Sequence, residues 1–139
     1  MRLFRLFHRF GTRASAPADN LSRGGVVAEI DVHSGRLSEA LAPSHEVVRC
    51  AVHPESGEII QGVRVPDWAT KIGAIHEMLR CLFFLDFGAL DIAVTPNGLK
   101  VLEVNSQPER RMLQINQPAF LDEEFSEFCK KKGYGECTC

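Results

Sequence analysis

The segment from Asp86 to Gln107 constrains the fold of this chain more than any other, because it has the pattern of a β-hairpin. Two apolar arms, Leu90 to Val94 and Val101 to Val104, flank the tripeptide Pro96-Asn97-Gly98. A loop of these three residues fits a type I turn whose glycine takes the left-handed conformation as a bulge. The segment therefore predicts two antiparallel strands in one defined register.

That register decides which side chains share a face. With three loop residues, Thr95 pairs with Leu99, and counting back places Asp91 directly opposite Glu103. Because side chains alternate between the two faces of a strand, Asn105 joins Asp91 and Glu103 on one polar face. The opposite face is expected to be apolar and to comprise Ile92, Val94, Leu102 and Val104. A two-residue Asn97-Gly98 turn would instead shift the pairing by one residue and separate the two carboxylates.

Three oxygen-bearing side chains on one rigid face are the ligands that a hard divalent cation requires. Mg²⁺ binds oxygen atoms at about 2.0–2.1 Å and completes its octahedron with water or substrate phosphates. Two carboxylates and an amide leave positions open, which nucleotide phosphates would fill. The alternative is a solvent-exposed strand face that carries acidic residues without binding a metal. The residues alone leave both interpretations open.

Composition restricts the class of protein. The chain has 139 residues, of which 45% are hydrophobic, and this predicts one domain with a core of its own. A formal charge of -2 gives no sign of nucleic-acid binding. No apolar run approaches the roughly 18 residues of a membrane span, so we expect none. The five cysteines lack paired Cys-x-x-Cys spacing, which favours a reducing, cytoplasmic setting.

The N-terminal segment, residues 1–18, has two interpretations. It contains four arginines and no acidic residue, interleaved with leucines and phenylalanines, which is typical of an amphipathic organelle-targeting segment. The same segment also alternates like a strand, with Leu3, Arg5, Phe7 and Arg9 on one face.

The middle of the chain predicts an antiparallel meander followed by a helix. Strands are expected over 26–31, 37–41, 46–52 and 58–65, with Ser-Gly turns between the paired strands. Asp67 is the expected N-cap of the helix, whose apolar stripe should pack on the sheet. That stripe comprises Trp68, Ile72, Ile75, Leu79 and Leu82.

A second helix is predicted over 118–132. Acidic residues come early in it and three lysines come late, which is the order that the helix dipole favours. Its inward residues would be Phe120, Leu121, Phe125 and Phe128. Together the elements predict an α+β fold, an antiparallel sheet of hairpins with two helices packed on one face. We expect a single domain over 1–132 and a flexible tail over 133–139 that holds Cys137 and Cys139.

Several short motifs occur in order between residues 19 and 107. They are Asp19-Asn20-Leu21-Ser22-Arg23-Gly24-Gly25, Ile30-Asp31 with Ser34-Gly35, His53-Pro54 with Gly57, Val65-Pro66 with Trp68, and Asp91 with Glu103-Val104-Asn105. In this order they resemble the C-terminal part of the ATP-grasp enzymes. The closest resemblance is to the sugar-transfer-associated ATP-grasp family, which is related to alpha-L-glutamate ligases. It implies the fold of an ATP-grasp C-terminal subdomain.

The resemblance also implies a chemistry, ATP-dependent ligation. In this reaction a carboxylate is phosphorylated to an acyl phosphate, which an amine or other nucleophile then attacks. Asp91, Glu103 and Asn105 would hold two Mg²⁺ ions on the ATP phosphates, with Glu103 bridging both. The implied ligands are ATP, a small-molecule carboxylate and an amine acceptor.

Further contacts are implied ahead of the hairpin. Arg9 would contact phosphate from a strand that precedes the Asn20 loop, and this role favours the strand over the targeting segment. Asn20 and Arg23 would lie near the phosphates or the acceptor, so Arg9, Asn20 and Arg23 are the expected catalytic residues. The backbone N–H groups of Gly24 and Gly25 would add to the phosphate site.

The resemblance covers only part of an ATP-grasp fold, which has two α+β subdomains that close on the nucleotide. No lysine precedes Lys71, so the lysines that grip the α- and β-phosphates in such enzymes have no counterpart here. We therefore expect either a catalytic portion completed by an N-terminal ATP-grasp half, or a non-catalytic remnant that serves as a binding or interaction module. Uncovered apolar surface would favour self-association. Arg110 or Arg111 would meet an anionic substrate.

Overall fold

The computed structural model describes residues 2–17, 21–42, 48–108, 110–114 and 116–133. Over these residues the fold is α+β, as predicted, with two antiparallel sheets and three α-helices. The chain divides into two compact units, Met1–Gln107 and Pro108–Cys139, and each is described by itself. In the described ranges no helix combines the length and the apolar character needed to cross a membrane.

The first unit begins with a four-stranded antiparallel sheet whose strands lie side by side in chain order. The strands are β1 (Phe7–Phe10), β2 (Val26–Ile30), β3 (Leu37–Ala42) and β4 (Val48–Cys50). Arg9 of β1 pairs with Val27 of β2, so the predicted N-terminal strand is confirmed over Phe7–Phe10, although the predicted alternation began at Leu3. Because β1 is the first strand in the order, backbone pairing on one side holds Arg9 in place.

Strand β2 supplies much of the core, because it lies between two other strands. Val26, Val27 and Ala28 are all at most 2% exposed. From outside the sheet, Ile60 and Trp68 are buried in one core cluster with Val26 and Ala28. The apolar residues of the N-terminal half therefore pack around this sheet.

The segment from 58 to 65 is not the strand that its pattern predicted. Two isolated bridges, Val52 with Ile59 and Arg36 with Arg64, are its β-pairings among the described residues. Gly62 has a φ of +78° and lies in a turn, where its N–H donates to the Leu37 carbonyl. The turn interrupts the ladder, because a left-handed residue breaks the regular alternation of strand hydrogen bonds.

Helix α1 (Trp68–Cys81) forms as predicted with Asp67 at its N-cap position, but the Asp67 side chain makes no capping hydrogen bond. An N-cap residue normally has extended backbone angles, whereas Asp67 has a φ of +51° and a left-handed conformation. Its carboxylate instead lies 3.9 Å from the Lys71 ammonium. Trp68 and Ile75 are the buried residues of the helix, and Ile72 packs against the core of the four-stranded sheet.

The turn between β2 and β3 packs against Trp68. The indole N–H donates to the Val32 carbonyl at 3.0 Å. Gly35 has a φ of +71°, and a Cβ placed there would lie 2.4 Å from the indole ring. On the other side of the turn, the Ser34 N–H donates to the Asp31 carboxylate at 2.6 Å. Two of the motifs found in the sequence, Ile30-Asp31 with Ser34-Gly35 and Val65-Pro66 with Trp68, thus meet in one packed corner.

The second unit contains α2 (Arg110–Gln114), a 3-10 turn (Ala119–Leu121) and α3 (Glu123–Lys132). The predicted helix over 118–132 begins later, because Asp122 caps it by accepting the Phe125 N–H at 2.9 Å. Phe125 is buried, with the Phe120 and Phe128 rings 5.5 and 6.5 Å away. Leu121, by contrast, is 79% exposed, so its predicted inward position is wrong. Helix α2 was not predicted, because its polar sequence carries no apolar periodicity.

Candidate functional site

The predicted hairpin consists of β5 (Ala89–Thr95) and β6 (Gly98–Asn105). Asp91 pairs with Glu103, as the sequence predicted, and Asn105 pairs with Ala89 two positions away. Side chains that pair across two strands lie on the same face, with Cβ atoms about 4.5–5.5 Å apart. The hairpin therefore brings both carboxylates and the amide to one face.

The register arises by a different route from the one predicted. The loop has two residues, Pro96 and Asn97, so that Thr95 pairs with Gly98. This shorter loop alone would put Asp91 opposite Leu102. Leu102 is instead an extra residue in β6, a β-bulge that moves the pairing by one position. The predicted turn is wrong, and the Asp91 pairing holds because the bulge compensates for the shorter loop.

A lysine also lies on the carboxylate face. Strand β5 is regular, so Asp91 and Ala93 point to the same side. Since Glu103 pairs with Asp91 and Lys100 pairs with Ala93, Lys100 lies on that side as well. We call this surface the polar face; it comprises Asp91, Glu103, Asn105 and Lys100. Lys100 and Glu103 are three residues apart, so a regular strand would put them on opposite faces, and the extra residue Leu102 brings them to the same one.

The opposite face of the hairpin differs from the predicted apolar set in one residue and in its burial. Leu102 is the bulged residue and is 67% exposed, and Val101 takes its place opposite Ile92. Val94 and Val104 are 56% and 46% exposed. The hairpin is thus less covered than the four-stranded sheet, on which the N-terminal end of α1 packs.

Arg9 reaches from β1 to the polar face. Its two terminal nitrogens lie 2.9 and 3.3 Å from the two carboxylate oxygens of Asp91, a bidentate ion pair between residues 82 positions apart. The Arg9 and Asp91 side chains remain 46% and 36% exposed, so water and solutes reach the pair. Paired planar groups of this kind form geometrically specific charge-assisted bonds. The structure therefore brings together two residues that were predicted to act on the same nucleotide.

The remaining side chains of the polar face are held less firmly. The Asn105 side-chain oxygen accepts the Gln107 N–H at 2.8 Å, which orients the amide at the end of β6. A Cβ at Gly88 would lie 3.0 Å from the Asn105 carbonyl oxygen, so the backbones approach closely there. Among the described residues, the Glu103 carboxylate and the Lys100 ammonium make no hydrogen bond or ion pair.

The loop before β2 was predicted to add phosphate contacts, and the structure describes it in part. Asn20 lies outside the described residues. Arg23 is exposed at the end of a 3-10 turn (Leu21–Arg23). The Gly24 N–H donates to the Leu21 carbonyl at 3.1 Å, and Gly25 is buried at the start of β2. Their roles toward a nucleotide stay predictions. The side chains of Arg110 and Arg111 also lie outside what the structure describes.

An open cleft of about 370 Å³ lies beside Arg9, lined by residues 9–11 and by the segment 53–60. His53 organises its wall: one ring nitrogen, Nε2, lies 3.0 Å from the Gly11 carbonyl oxygen. The other, Nδ1, accepts the Glu55 and Ser56 N–H groups at 3.3 and 3.2 Å. Since Nδ1 accepts, Nε2 carries the proton and donates to Gly11. His53 belongs to one of the short motifs found in the sequence, but the motif did not predict this contact with Gly11.

The donor chemistry of the polar face fits a hard divalent cation. Two carboxylates and an amide oxygen are the ligand types that Mg²⁺ takes, with water or phosphate in its remaining positions. Over the described ranges, no group of three or more histidine, cysteine, aspartate or glutamate side chains comes together as a metal centre. The polar face contributes two carboxylates and one amide oxygen, so an ion bound here would complete its coordination with water or phosphate oxygens.

The fold and these residues define an α+β protein whose hairpin carries two paired carboxylates beside an arginine. The family model of sugar-transfer associated ATP-grasp matches residues 1–130, and the chain belongs to this family. ATP-grasp proteins generally bind ATP and Mg²⁺. No curated protein and no solved structure matches the chain.

Proposed function

We propose that this chain is the ATP- and Mg²⁺-binding portion of an ATP-grasp carboxylate–amine ligase that acts through an acyl phosphate. The observation that supports this most directly is the bidentate Arg9–Asp91 ion pair beside Glu103 on the polar face. Family membership and the oxygen ligands of the hairpin support it as well. A complementing N-terminal ATP-grasp half would complete the nucleotide pocket.

The reaction has two steps. A substrate carboxylate oxygen attacks the γ-phosphorus of ATP, the bond from that phosphorus to the β–γ bridging oxygen breaks, and ADP leaves. The amine nitrogen of the acceptor then attacks the acyl carbon and inorganic phosphate leaves, while the amine proton passes to solvent. In phosphoryl transfer the protein contributes mainly position and charge stabilisation.

The residues of the polar face take separate roles in this proposal. Asp91, Glu103 and Asn105 hold the cation, which when bound would neutralise charge on the phosphates. Asn105 is already oriented through its bond with the Gln107 N–H. Arg9 contacts a phosphate, and the cleft beside it gives room for a small carboxylate or amine substrate.

The Arg9–Asp91 pair bears on how the cation and the nucleotide bind. Without a cation, the guanidinium occupies both oxygens of Asp91. A cation on Asp91 would displace the guanidinium, which then is available to a phosphate. We therefore expect the cation and the nucleotide to bind more tightly together than either does alone.

Isothermal titration calorimetry with ATP and Mg²⁺ tests the proposal. We expect the chain to bind Mg·ATP and the Asp91→Ala and Glu103→Ala variants to lose that binding. Glu77→Ala is the matched control, because Glu77 is an exposed carboxylate paired with an arginine, 2.9 Å from Arg80. Absence of heat at millimolar nucleotide, unchanged in both variants, would exclude a metal site in this chain.

The second candidate is a non-catalytic ATP-grasp remnant that serves as a binding or interaction module. The exposed apolar residues favour it, since Phe83 and Phe84 are 87% and 67% exposed. Turnover separates the two candidates. ADP release dependent on both a carboxylate and an amine, after addition of a complementing N-terminal half, supports the ligase; binding without turnover supports the module.

A further inference from the structure

We propose that Lys100 is a phosphate-binding residue of the polar face, contacting the phosphate chain of a bound nucleoside triphosphate. The proposal rests on the proposed function, because it needs a Mg²⁺–nucleotide on this face. It would add a second cationic side chain to the phosphate contact of Arg9.

The position of Lys100 follows from the two-residue loop, and the β-bulge at Leu102 brings Glu103 to the same face. Lys100 pairs with Ala93, which is two residues from Asp91 on the regular strand β5. Residues related in this diagonal way across a strand pair have their Cα atoms about 7–8 Å apart. The flexible lysine stem therefore starts beside both carboxylates and can extend over the ligand that they hold.

Lys100 does not behave as a counter-ion to these carboxylates. A lysine that neutralised Asp91 or Glu103 would have its nitrogen within 4.0 Å of a carboxylate oxygen. Asp91 is instead paired with Arg9, and in the described part of the chain no ion pair involves Lys100. Lys100 is exposed, so solutes can reach it.

The charges of the polar face favour a phosphate that is bound together with a divalent cation over a bare phosphate. Two carboxylates repel a bare phosphate, whereas a divalent cation on them attracts one. Arg9 and Lys100 then approach the phosphate chain from two directions, one as a planar fork and one as a point charge. A metal–polyphosphate satisfies both charges of the face together, which neither a free cation nor a free phosphate does.

The test compares Lys100→Gln with Lys131→Gln by calorimetry on the full chain. The control removes the same charge from an exposed residue of α3. Three probes are titrated: Mn²⁺ alone, Mg·ATP and magnesium tripolyphosphate. A hydrogen bond to a charged group corresponds to a loss of about tenfold or more in affinity. We expect that loss in Lys100→Gln for both phosphate probes, with Mn²⁺ affinity unchanged or raised, and no loss in Lys131→Gln.

Each failure has a distinct signature. If the unaltered chain binds Mn²⁺ and Mg·ATP but Lys100→Gln matches the control, the Lys100 proposal is overturned and the proposed function stands. If Lys100→Gln loses Mg·ATP but not tripolyphosphate, Lys100 acts elsewhere on the nucleotide and the phosphate contact is refuted. If the unaltered chain binds none of the probes, both proposals fall.

Discussion

At the scale of single residues, the ion pair between Arg9 and Asp91 joins two distant parts of the chain. Each residue was predicted separately to act on a nucleotide, and the fold places their charged groups 2.9 Å apart. Exposed ion pairs contribute little to stability, about 0–1 kcal/mol. The geometry of this pair therefore matters more for binding than for folding.

We predict that Arg9→Gln separates stability from binding. The free energy of unfolding should fall by less than about 1 kcal/mol, because the pair is exposed to water. Affinity for Mn²⁺ alone should rise, since Asp91 loses a competing cation, and affinity for Mg·ATP should fall. Denaturant titration and calorimetry measure these changes. Arg80→Gln is the control, as it breaks the exposed pair with Glu77. A fall in Mn²⁺ affinity would contradict the exchange of Arg9 for a cation.

Asp31 offers a prediction on pH. Hydrogen bonds from Ser34, first from its hydroxyl and then from its backbone N–H, lower the pKa of the Asp31 carboxyl below its usual value. A lowered pKa stabilises the fold above the unfolded-state pKa of about 3.9, and this contribution is lost as the pH falls through the lower folded value. We expect Ser34→Ala to raise the pKa of Asp31, as measured by carboxyl NMR titration. Ser56→Ala, in the next turn, should leave it unchanged.

At the scale of elements, the packing of the β2–β3 turn against α1 requires a glycine at position 35. Gly35 combines a φ of +71° with a Trp68 ring where a Cβ would be. Gly57 has nearly the same φ, +72°, with nothing within 4 Å. The two glycines therefore share a backbone conformation, but only Gly57 has room for a Cβ atom.

We predict that Gly35→Ala destabilises the fold by about 2–5 kcal/mol, from backbone strain of about 1–2 kcal/mol plus the overpacking of Trp68. Gly57→Ala should cost the backbone part only. Denaturant unfolding gives both values. Equal losses in the two variants would mean that the tryptophan ring moves away at no cost.

The hairpin gives a prediction on register. Deleting Leu102 removes the bulge but keeps Asp91 opposite Glu103, so Mn²⁺ and Mg·ATP binding should persist. Deleting Val104 moves Asn105 by one position and turns its side chain to the other face. We expect this control deletion to weaken binding at least tenfold by calorimetry. Loss of binding in both deletions would show that the bulge itself shapes the site.

At the scale of the whole molecule, exposed apolar side chains predict association between copies. The ring centroids of Phe83 and Phe84 lie 5.8 Å apart, and the two residues form an exposed aromatic pair just after the end of α1. We expect sedimentation velocity to show association that rises with concentration and falls in the double variant Phe83→Ser/Phe84→Ser. Leu121→Ser, which alters a single exposed residue, is the control. A chain that stays monomeric at all concentrations would contradict the prediction.

Much of the fold follows from short-range patterns in the sequence. The alternation of β1, the apolar stripe of α1 and the capping aspartate of α3 each depend on residues within a few positions. The predicted strand over 58–65 failed, because a left-handed Gly62 interrupts it and Ile60 is buried without strand pairing. Asp67 holds the predicted N-cap position, but its left-handed backbone leaves the side chain without a capping hydrogen bond, and residue type alone does not encode that backbone angle.

The sequence by itself determined the hairpin and the family of the protein. These follow from alternation along strands and from the order of motifs. The tertiary structure decided that a two-residue loop puts Lys100 on the polar face, that Leu102 bulges so that Glu103 still faces Asp91, and that Arg9 reaches Asp91. The physical reason is that bulges and long-range ion pairs depend on how distant segments pack, and no local pattern encodes a contact between residues 82 positions apart.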